Sequence, residues 1–353
     1  MYAAKDLQTF CEQVLTRLGM PQRDAAVVAD SLVRADLEGN EGHGISRLAI
    51  YAKRIREGRI AADPAIAFEP AGAVLRVDGG GGLGQVVASR AIERAMPLAR
   101  EYGLAGIFVR NSNHFGTAAY FCQQACRENM ALIAMTNSPP GIPPWGGKKA
   151  FFGTNPIAFG FPNRDGPPVI VDMSSSVVAR GKIILAAKLG TPIPPGWAID
   201  ENGVETTDPD AALRGAVLPV GGAKGYALAM AVEIMCGVLS GAAYGPHVNN
   251  LYKDGDPPAN VGHSFILLDI SKWMPLEDYF DMMKTFLREV KEVPKAAGTE
   301  EIRYPGERRH AEFLERSARG LAVSKEVTAE LQRLGGELGV QFPQELANEG
   351  WQG

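Results

Sequence analysis

The chain has 353 residues, of which 46% are hydrophobic and 22% charged, and its formal net charge is −4. That length exceeds one typical core and predicts two or three lobes. The acidic balance argues against a general nucleic-acid binder, and 41 glycines point to many tight turns and close backbone approaches.

Four cysteines occur, Cys11, Cys122, Cys126 and Cys236, and none forms a C-x-x-C pair. Cys122 and Cys126 are one helical turn apart and read as a buried face. This usage argues against a zinc site and for a reduced, cytoplasmic setting. The N-terminus lacks the apolar core of a signal peptide. The longest apolar run, Tyr226 to Tyr244, is broken by Glu233 and rich in small residues, so it reads as a buried helix and not a membrane span.

Residues 5–58 read as three helices. The first carries Leu7, Phe10, Cys11, Val14, Leu15 and Leu18 on one face. The second stops at Gly39, a C-cap residue. Gly42-His43-Gly44-Ile45-Ser46-Arg47 then leads into the third. A helix start offers free N–H donors and a partial positive charge, and Arg47 adds a fork that matches a carboxylate. An imidazole beside it suits proton transfer to a carboxylate-bearing substrate. The plainer reading is a loop histidine and a surface arginine.

Asp63 to Pro70 reads as a polar connector. Val74 to Val77 is a short strand that enters Gly79-Gly80-Gly81-Gly82-Leu83-Gly84, followed by a helix from Val86 to Tyr102. Gly79, Gly81 and Gly84 satisfy G-x-G-x-x-G. Consecutive glycines match that spacing cheaply, and the acid expected about twenty residues on would be Glu101, inside the helix. A Rossmann nucleotide loop is therefore disfavoured.

Ala105 to Val109 is a strand ending in Asn111-Ser112-Asn113-His114-Phe115-Gly116, then a helix from Thr117. His114 is a second loop histidine at a strand-to-helix junction, where ligand groups gather. Leu132 to Thr136 and Val169 to Met173 are strands. After the latter, Ser174, Ser175 and Ser176 are candidate ribose or phosphate contacts, or the N-cap of a helix over 177–189. Gly221-Gly222-Ala223-Lys224-Gly225 opens the long apolar segment, where Lys224 either snorkels or meets a phosphate. Phe265 to Ile270 is a strand, and helices follow at 275–290, 312–321 and 324–338, with the turn Tyr304-Pro305-Gly306-Glu307 between them.

Taken together these motifs resemble the type 2 malate/L-lactate dehydrogenase family, the sulfolactate-dehydrogenase-like oxidoreductases, over nearly the whole chain. The resemblance rests on Gly42 to Leu48, Asn111 to Gly116, Gly153-Thr154-Asn155-Pro156, Asp172-Met173 with Ala179 to Lys182, Gly221 to Gly225, and Pro305 to Glu307. It implies an α/β fold with a non-Rossmann NAD(P)-binding lobe of mixed sheet and helices, plus a helical lobe built from both chain ends. The corresponding expected domains are 1–70 with 272–353 (helical), 71–120 with 220–271 (central α/β), and 121–219 (cofactor-binding).

The resemblance further implies NAD(P)H-dependent reduction of a 2-oxo acid to a 2-hydroxy acid, of malate, lactate, ureidoglycolate or sulfolactate type, and the reverse. The rivals are a cyclic 2-imino acid reductase and a non-catalytic cofactor-binding member. NAD or NADP is the implied cofactor, NAD being preferred, and a homodimer with sites near the interface is implied. By motif, His43 is the proton donor and His114 the second candidate acid/base, while Arg47 and Thr154 bind substrate. His114, Gly116, Ser138, Asp172, Met173, Ser174, Lys224, Pro305, Gly306 and Glu307 line the cofactor, and no metal, nucleic acid or membrane partner is implied. Two departures stand out. Gly42 replaces the serine usual before the first histidine, and Lys182 stands where some imine-reducing members carry aspartate, which favours an oxo acid.

Overall fold

The structure, a computed structural model, describes residues 1–346. Its helices are α1 (Ala4–Arg17), α2 (Gln22–Leu37), α3 (Leu48–Arg56), α4 (Gly84–Tyr102), α5 (Ala118–Arg127), α6 (Arg180–Leu189), α7 (Pro209–Arg214), α8 (Ala223–Glu233), α9 (Leu276–Glu292), α10 (Glu307–Arg319) and α11 (Lys325–Leu338). The strands are β1 (Ala67–Ala71), β2 (Val74–Asp78), β3 (Leu104–Ser112), β4 (Met130–Thr136), β5 (Ile157–Phe161), β6 (Val169–Met173), β7 (Ala198–Ile199), β8 (Glu205–Thr206), β9 (Ala216–Val217) and β10 (Val261–Asp269).

One seven-stranded sheet in the order β1-β2-β3-β10-β4-β5-β6 organises the molecule. Only β2 and β3 run parallel in it, joined by α4, and every other neighbouring pair is antiparallel. This is a mixed sheet and not a doubly wound Rossmann sheet. α4 and α5 cover one face through Val87, Ala91, Ile92, Phe121 and Cys122. Val232 and Cys236 press on the other face against Met135 and Ile157.

A helical layer is built from both chain ends. α1, α2 and α3 share one apolar cluster with Leu331 and Leu334 of α11, and Tyr2 pairs with Leu321. Residues 174–219 form a small appendage in which β8-β7-β9 and α6–α7 enclose Ile183, Ile193 and Val217. The four cysteines are free and buried. Among the described residues, no helix is long and apolar enough to cross a membrane.

Several local expectations change. The connector at Asp63 to Pro70 ends in β1, an edge strand that carries Pro70, which an edge tolerates because its N–H side needs no ladder partner. The helix expected from residue 177 starts at Arg180, capped by Ala179, which has no side-chain acceptor; Ser174 and Ser176 bond to each other and Ser175 donates to Thr154 O. The long apolar segment is helix only to Glu233, continues as a π-turn over Ile234–Val238, and exposes one face instead of being buried. The helix expected at 312–321 begins at Glu307.

Candidate functional site

After α2 the chain turns at Gly39 (φ +78°) into two 3-10 turns, Glu41–His43 and Ile45–Arg47, and then into α3. The Asp36 carboxylate holds this turn by accepting the Ile45 N–H at 2.8 Å. A Cβ on Gly44 would lie 1.9 Å from Asp36 Oδ1, so only glycine fits there. Burial raises the Asp36 carboxyl to about 7 against the pull of the Ile45 N–H. The turn presents His43, whose Nδ1 meets Asn40 Oδ1 at 3.0 Å.

His114 comes from the β3–α5 loop. That loop lies on the glycine-rich loop before α4. Asn113 Nδ2 donates to Gly81 O at 2.8 Å and Gly82 O at 3.0 Å, and Gly84 N–H donates to His114 O at 3.2 Å. A Cβ on Gly84 would come 2.3 Å from Asn113 O, and one on Gly80 2.8 Å from Ala65 O. These glycines admit protein backbone where a Rossmann loop would admit a pyrophosphate. Below the loop Phe115 stacks on His263 at 4.8 Å, and His263 is fully buried between Thr136 and Ser112.

The His43 and His114 rings stack with centroids 5.5 Å apart at 15°. His114 Nδ1 meets the Tyr51 hydroxyl at 2.6 Å, and Gln85 Nε2 donates to that hydroxyl at 3.1 Å. Burial first, then the Arg47 charge, lowers His43 to about 4; burial, His43 and Arg47 hold His114 well below its usual range. Both imidazoles are therefore neutral near pH 7.

The rings line a cavity of about 140 Å³ with Gly116, Ser138, Thr154 and residues Asn249 to Tyr252. Arg47 stands at its edge. Its Nε donates to Gly42 O at 2.6 Å, and its guanidinium lies 5.2 Å from the Tyr252 ring centroid and donates to the Tyr252 hydroxyl. Arg47 pairs with no carboxylate among the described residues.

The opposite wall is fixed by a buried carboxylate. Glu233 accepts from Asn155 Nδ2 at 2.6 Å, Asn137 Nδ2 at 3.1 Å and Gly245 N at 2.9 Å. Asn155 (φ +26°) in turn accepts the Ser138 N–H at 3.2 Å. Glu233 thus ties the Thr154 loop to the Ser138 loop, without a cation, through three N–H donors.

Pro305 to Glu307 docks on β6. Ile170 N–H donates to Pro305 O at 3.0 Å, and Gly306 (φ +108°) has no room for a Cβ beside Pro168 O, 2.6 Å away. Glu307 accepts the Tyr304 N–H at 2.9 Å and pairs with Lys291 at 2.6 Å. Next to this turn lies a cavity of about 310 Å³, lined in part by Ile170, Gly306, Arg34, Arg127 and Arg309. Asp172 accepts the Ala119 N–H at the start of α5 (3.2 Å) and pairs with Arg309 (3.3 Å); burial raises its carboxyl despite that arginine.

The sequence-derived residues therefore divide. His43, His114, Gly116, Ser138 and Thr154 share one cavity with Arg47 at its edge, and Gly306 lines the other. Asp172, Met173, Ser174, Lys224, Pro305 and Glu307 line neither. Lys224 is exposed in the first turn of α8 and has no ion pair among the described residues. Sequence reasoning missed Asn40, Tyr51, Gln85, Tyr252 and Arg309. The sequence marks Glu233 only as the acid that breaks the apolar run, with no role in the site.

A family model described as malate/L-lactate dehydrogenase matches residues 2–332. Over 311 residues, 88% of this chain and 91% of the relative, the chain is 39% identical to a (2R)-3-sulfolactate dehydrogenase (NADP(+)) of Chromohalobacter salexigens. It is 38% identical to a malate dehydrogenase of Pyrococcus horikoshii, covering 95% of this chain and 94% of that one. The solved sulfolactate dehydrogenase of Methanocaldococcus jannaschii superposes with a TM-score of 0.91 at 34% identity, over 97% of this chain and 98% of that one.

Proposed function

The chain belongs to the malate/L-lactate dehydrogenase family, and from that premise we propose that it reduces a 2-oxo acid to the 2-hydroxy acid, and the reverse, with NAD(H) or NADP(H). It is an NAD(P)-dependent dehydrogenase; the substrate and the residue roles are our reading. The observation that carries this reading is an unpaired Arg47 beside two stacked imidazoles on one small cavity.

The residues present fit a nicotinamide dinucleotide. Neither His43 nor His114 uses Nε2 in a hydrogen bond to any described residue. The cavity beside Gly306 carries three arginines, of which Arg127 is exposed and has no ion pair among the described residues, as a phosphate-bearing ligand requires. When bound, the nicotinamide exchanges a hydride with the substrate C2. The chain's own residues do the rest. Arg47 holds the substrate carboxylate and so fixes which atom faces the hydride. The histidine pair gives a proton to the carbonyl oxygen in reduction and takes it back in oxidation. A carboxylate bound at Arg47 cancels a charge that lowers both histidines, so substrate binding raises their proton affinity as the chemistry needs it. Thr154 and Ser138, positioned through Asn155 and Glu233, face the same cavity.

We also propose a homodimer in the cytoplasm. Met230, Ile234, Val238 and Leu239 form an exposed apolar row along α8 and its π-turn, which a second copy would cover. The four free buried thiols suit a reducing compartment. A light-scattering mass of one chain at micromolar concentration would count against the dimer.

The test of the function is NAD(P)H oxidation across a panel of oxaloacetate, pyruvate, sulfopyruvate and glyoxylate-type acids, with piperideine-2-carboxylate as the imine. Turnover of an oxo acid is expected. Turnover of the imine alone would make this a ketimine reductase, and cofactor binding with no turnover would make it a binding member.

A further inference from the structure

The two stacked imidazoles are held from behind by groups of opposite hydrogen-bonding sense. Asn40 offers His43 an amide oxygen, which can only accept. A neutral imidazole carries one N–H, so on His43 it sits at Nδ1, and Nε2 is a bare acceptor. His114 Nδ1 faces a hydroxyl that already accepts an N–H from Gln85. The remaining proton of Tyr51 points at His114, whose Nδ1 accepts it and whose own N–H therefore sits at Nε2.

Tyr51 and Gln85 are both 0% exposed, so no bulk water competes for these bonds. Gln85 Oε1 is left without a partner among the described residues. This is the less costly amide orientation, because an under-satisfied carbonyl is tolerated better than an orphaned N–H. The family's usual serine before the first histidine is Gly42 here, and the nearest atom to a Cβ at that position is Asn40 Oδ1 at 4.0 Å. Asn40, two residues earlier, supplies the side-chain contact to His43.

We infer that Asn40 and the Gln85–Tyr51 pair are positioning residues that lock His43 and His114 as opposite tautomers, so that His114 turns an N–H and His43 a bare nitrogen to the substrate cavity. A carbonyl oxygen needs a donor and a hydroxyl needs an acceptor. The stacked pair offers one of each: His43 Nε2 takes the hydroxyl proton in oxidation and, as the imidazolium so formed, returns it in reduction, while the His114 N–H hydrogen-bonds the same oxygen in both directions and keeps its proton, so neither ring has to flip. The tautomers exist without substrate; only what they meet rests on the 2-oxo acid reading.

The experiment is long-range proton–nitrogen NMR of the full-length protein, with its histidines labelled with nitrogen-15, near neutral pH. Signals are assigned by their loss in His43→Gln and His114→Gln. The expected result is N–H at Nδ1 for His43 and at Nε2 for His114. Asn40→Ala is expected to give His43 mixed tautomers and leave His114 unchanged, and Tyr51→Phe to do the converse. The same tautomer on both rings of the wild type would overturn the inference, whether or not any variant folds. On an oxo acid that is turned over, Tyr51→Phe is expected to lower kcat by about tenfold or more with KM nearly constant, the split expected when a hydrogen-bond donor to the reacting oxygen is misaligned; an unchanged kcat would also overturn it. If no oxo acid is reduced while the tautomers are opposite, the functional reading fails and the positioning stands. If an oxo acid is reduced while the tautomers are alike, the positioning alone fails.

Discussion

The Asp36 carboxylate occupies the space that any side chain at Gly44 would need, with Asp36 Oδ1 only 1.9 Å from where the Cβ would sit. The same carboxylate accepts the Ile45 N–H, so two contacts fix the turn that carries His43 and Arg47. Gly44→Ala must push Asp36 or the turn aside. Overpacking of this kind costs roughly 1–3 kcal/mol, and it displaces the site directly. Both a lower unfolding midpoint and a loss of turnover are expected for this variant. Asp36→Asn keeps the shape and should preserve folding better. An unchanged midpoint and kcat in Gly44→Ala would show that the turn yields without consequence.

Arg47 is our candidate for holding a substrate carboxylate, because no carboxylate among the described residues claims it. Charge-assisted hydrogen bonds are worth about 1.5–3 kcal/mol. Arg47→Gln is therefore expected to raise KM for the oxo acid by about ten- to a hundredfold. The effect on NAD(P)H affinity should be small. Arg47→Lys should recover part of the loss, since a point charge remains but the fork is gone. Steady-state kinetics with a fluorescence titration of the cofactor separates these effects. A KM that did not move would place the carboxylate elsewhere.

The site was legible where chemistry and backbone coincide in sequence. His43, Arg47 and His114 sit on short glycine-flanked turns at element junctions, and the structure brings both histidines to one cavity. Gly79 to Gly84 matched a nucleotide pattern by spacing, yet packing decides its use: backbone from Ala65 and Asn113 fills the space. The supporting groups were not legible. Tyr51 reads as an apolar residue on a helix face, and Gln85 as one more residue of a helix N-terminus. Their role depends on α3, α4 and the His114 loop meeting in space, and one sequence does not reveal that. Short strands such as β7 to β9 lack a repeating pattern, and β1 was hidden by its proline.

Lys224 is exposed near the N-terminus of α8 with no acidic partner among the described residues. A helix start with a free cation suits an anion such as a cofactor phosphate. Lys224→Ala is expected to weaken NAD(P)H binding by more than it slows hydride transfer at saturating cofactor. The fold should be indifferent, because the side chain packs on nothing that buries it. If the cofactor dissociation constant did not change, Lys224 would be a solvated surface lysine.

Stability is expected to fall on mild acidification, for a reason that can be worked out in sign. His43 is lowered to about 4 and His263 to about 3 from 6.5, chiefly by burial, and His114 moves the same way. A group depressed in the folded state contributes its full stability above its unfolded value, here 6.5. It loses that contribution as pH falls toward the folded value, because the unfolded chain binds the proton first. Asp36 acts in the opposite sense. Raised from 3.8 to about 7, its carboxyl stabilises the fold at low pH and loses that contribution as pH rises through about 7. Asp172, also raised by burial, acts in the same sense as Asp36. Between roughly pH 6 and 4.5, three histidines therefore oppose two aspartates, and the balance lies with the histidines. Urea unfolding followed at several pH values across this window should show the midpoint dropping. His43→Asn and His114→Asn should each flatten the slope by up to one proton. A midpoint that held steady from neutral pH down to about 4.5 would show that these imidazoles are already charged in the folded protein.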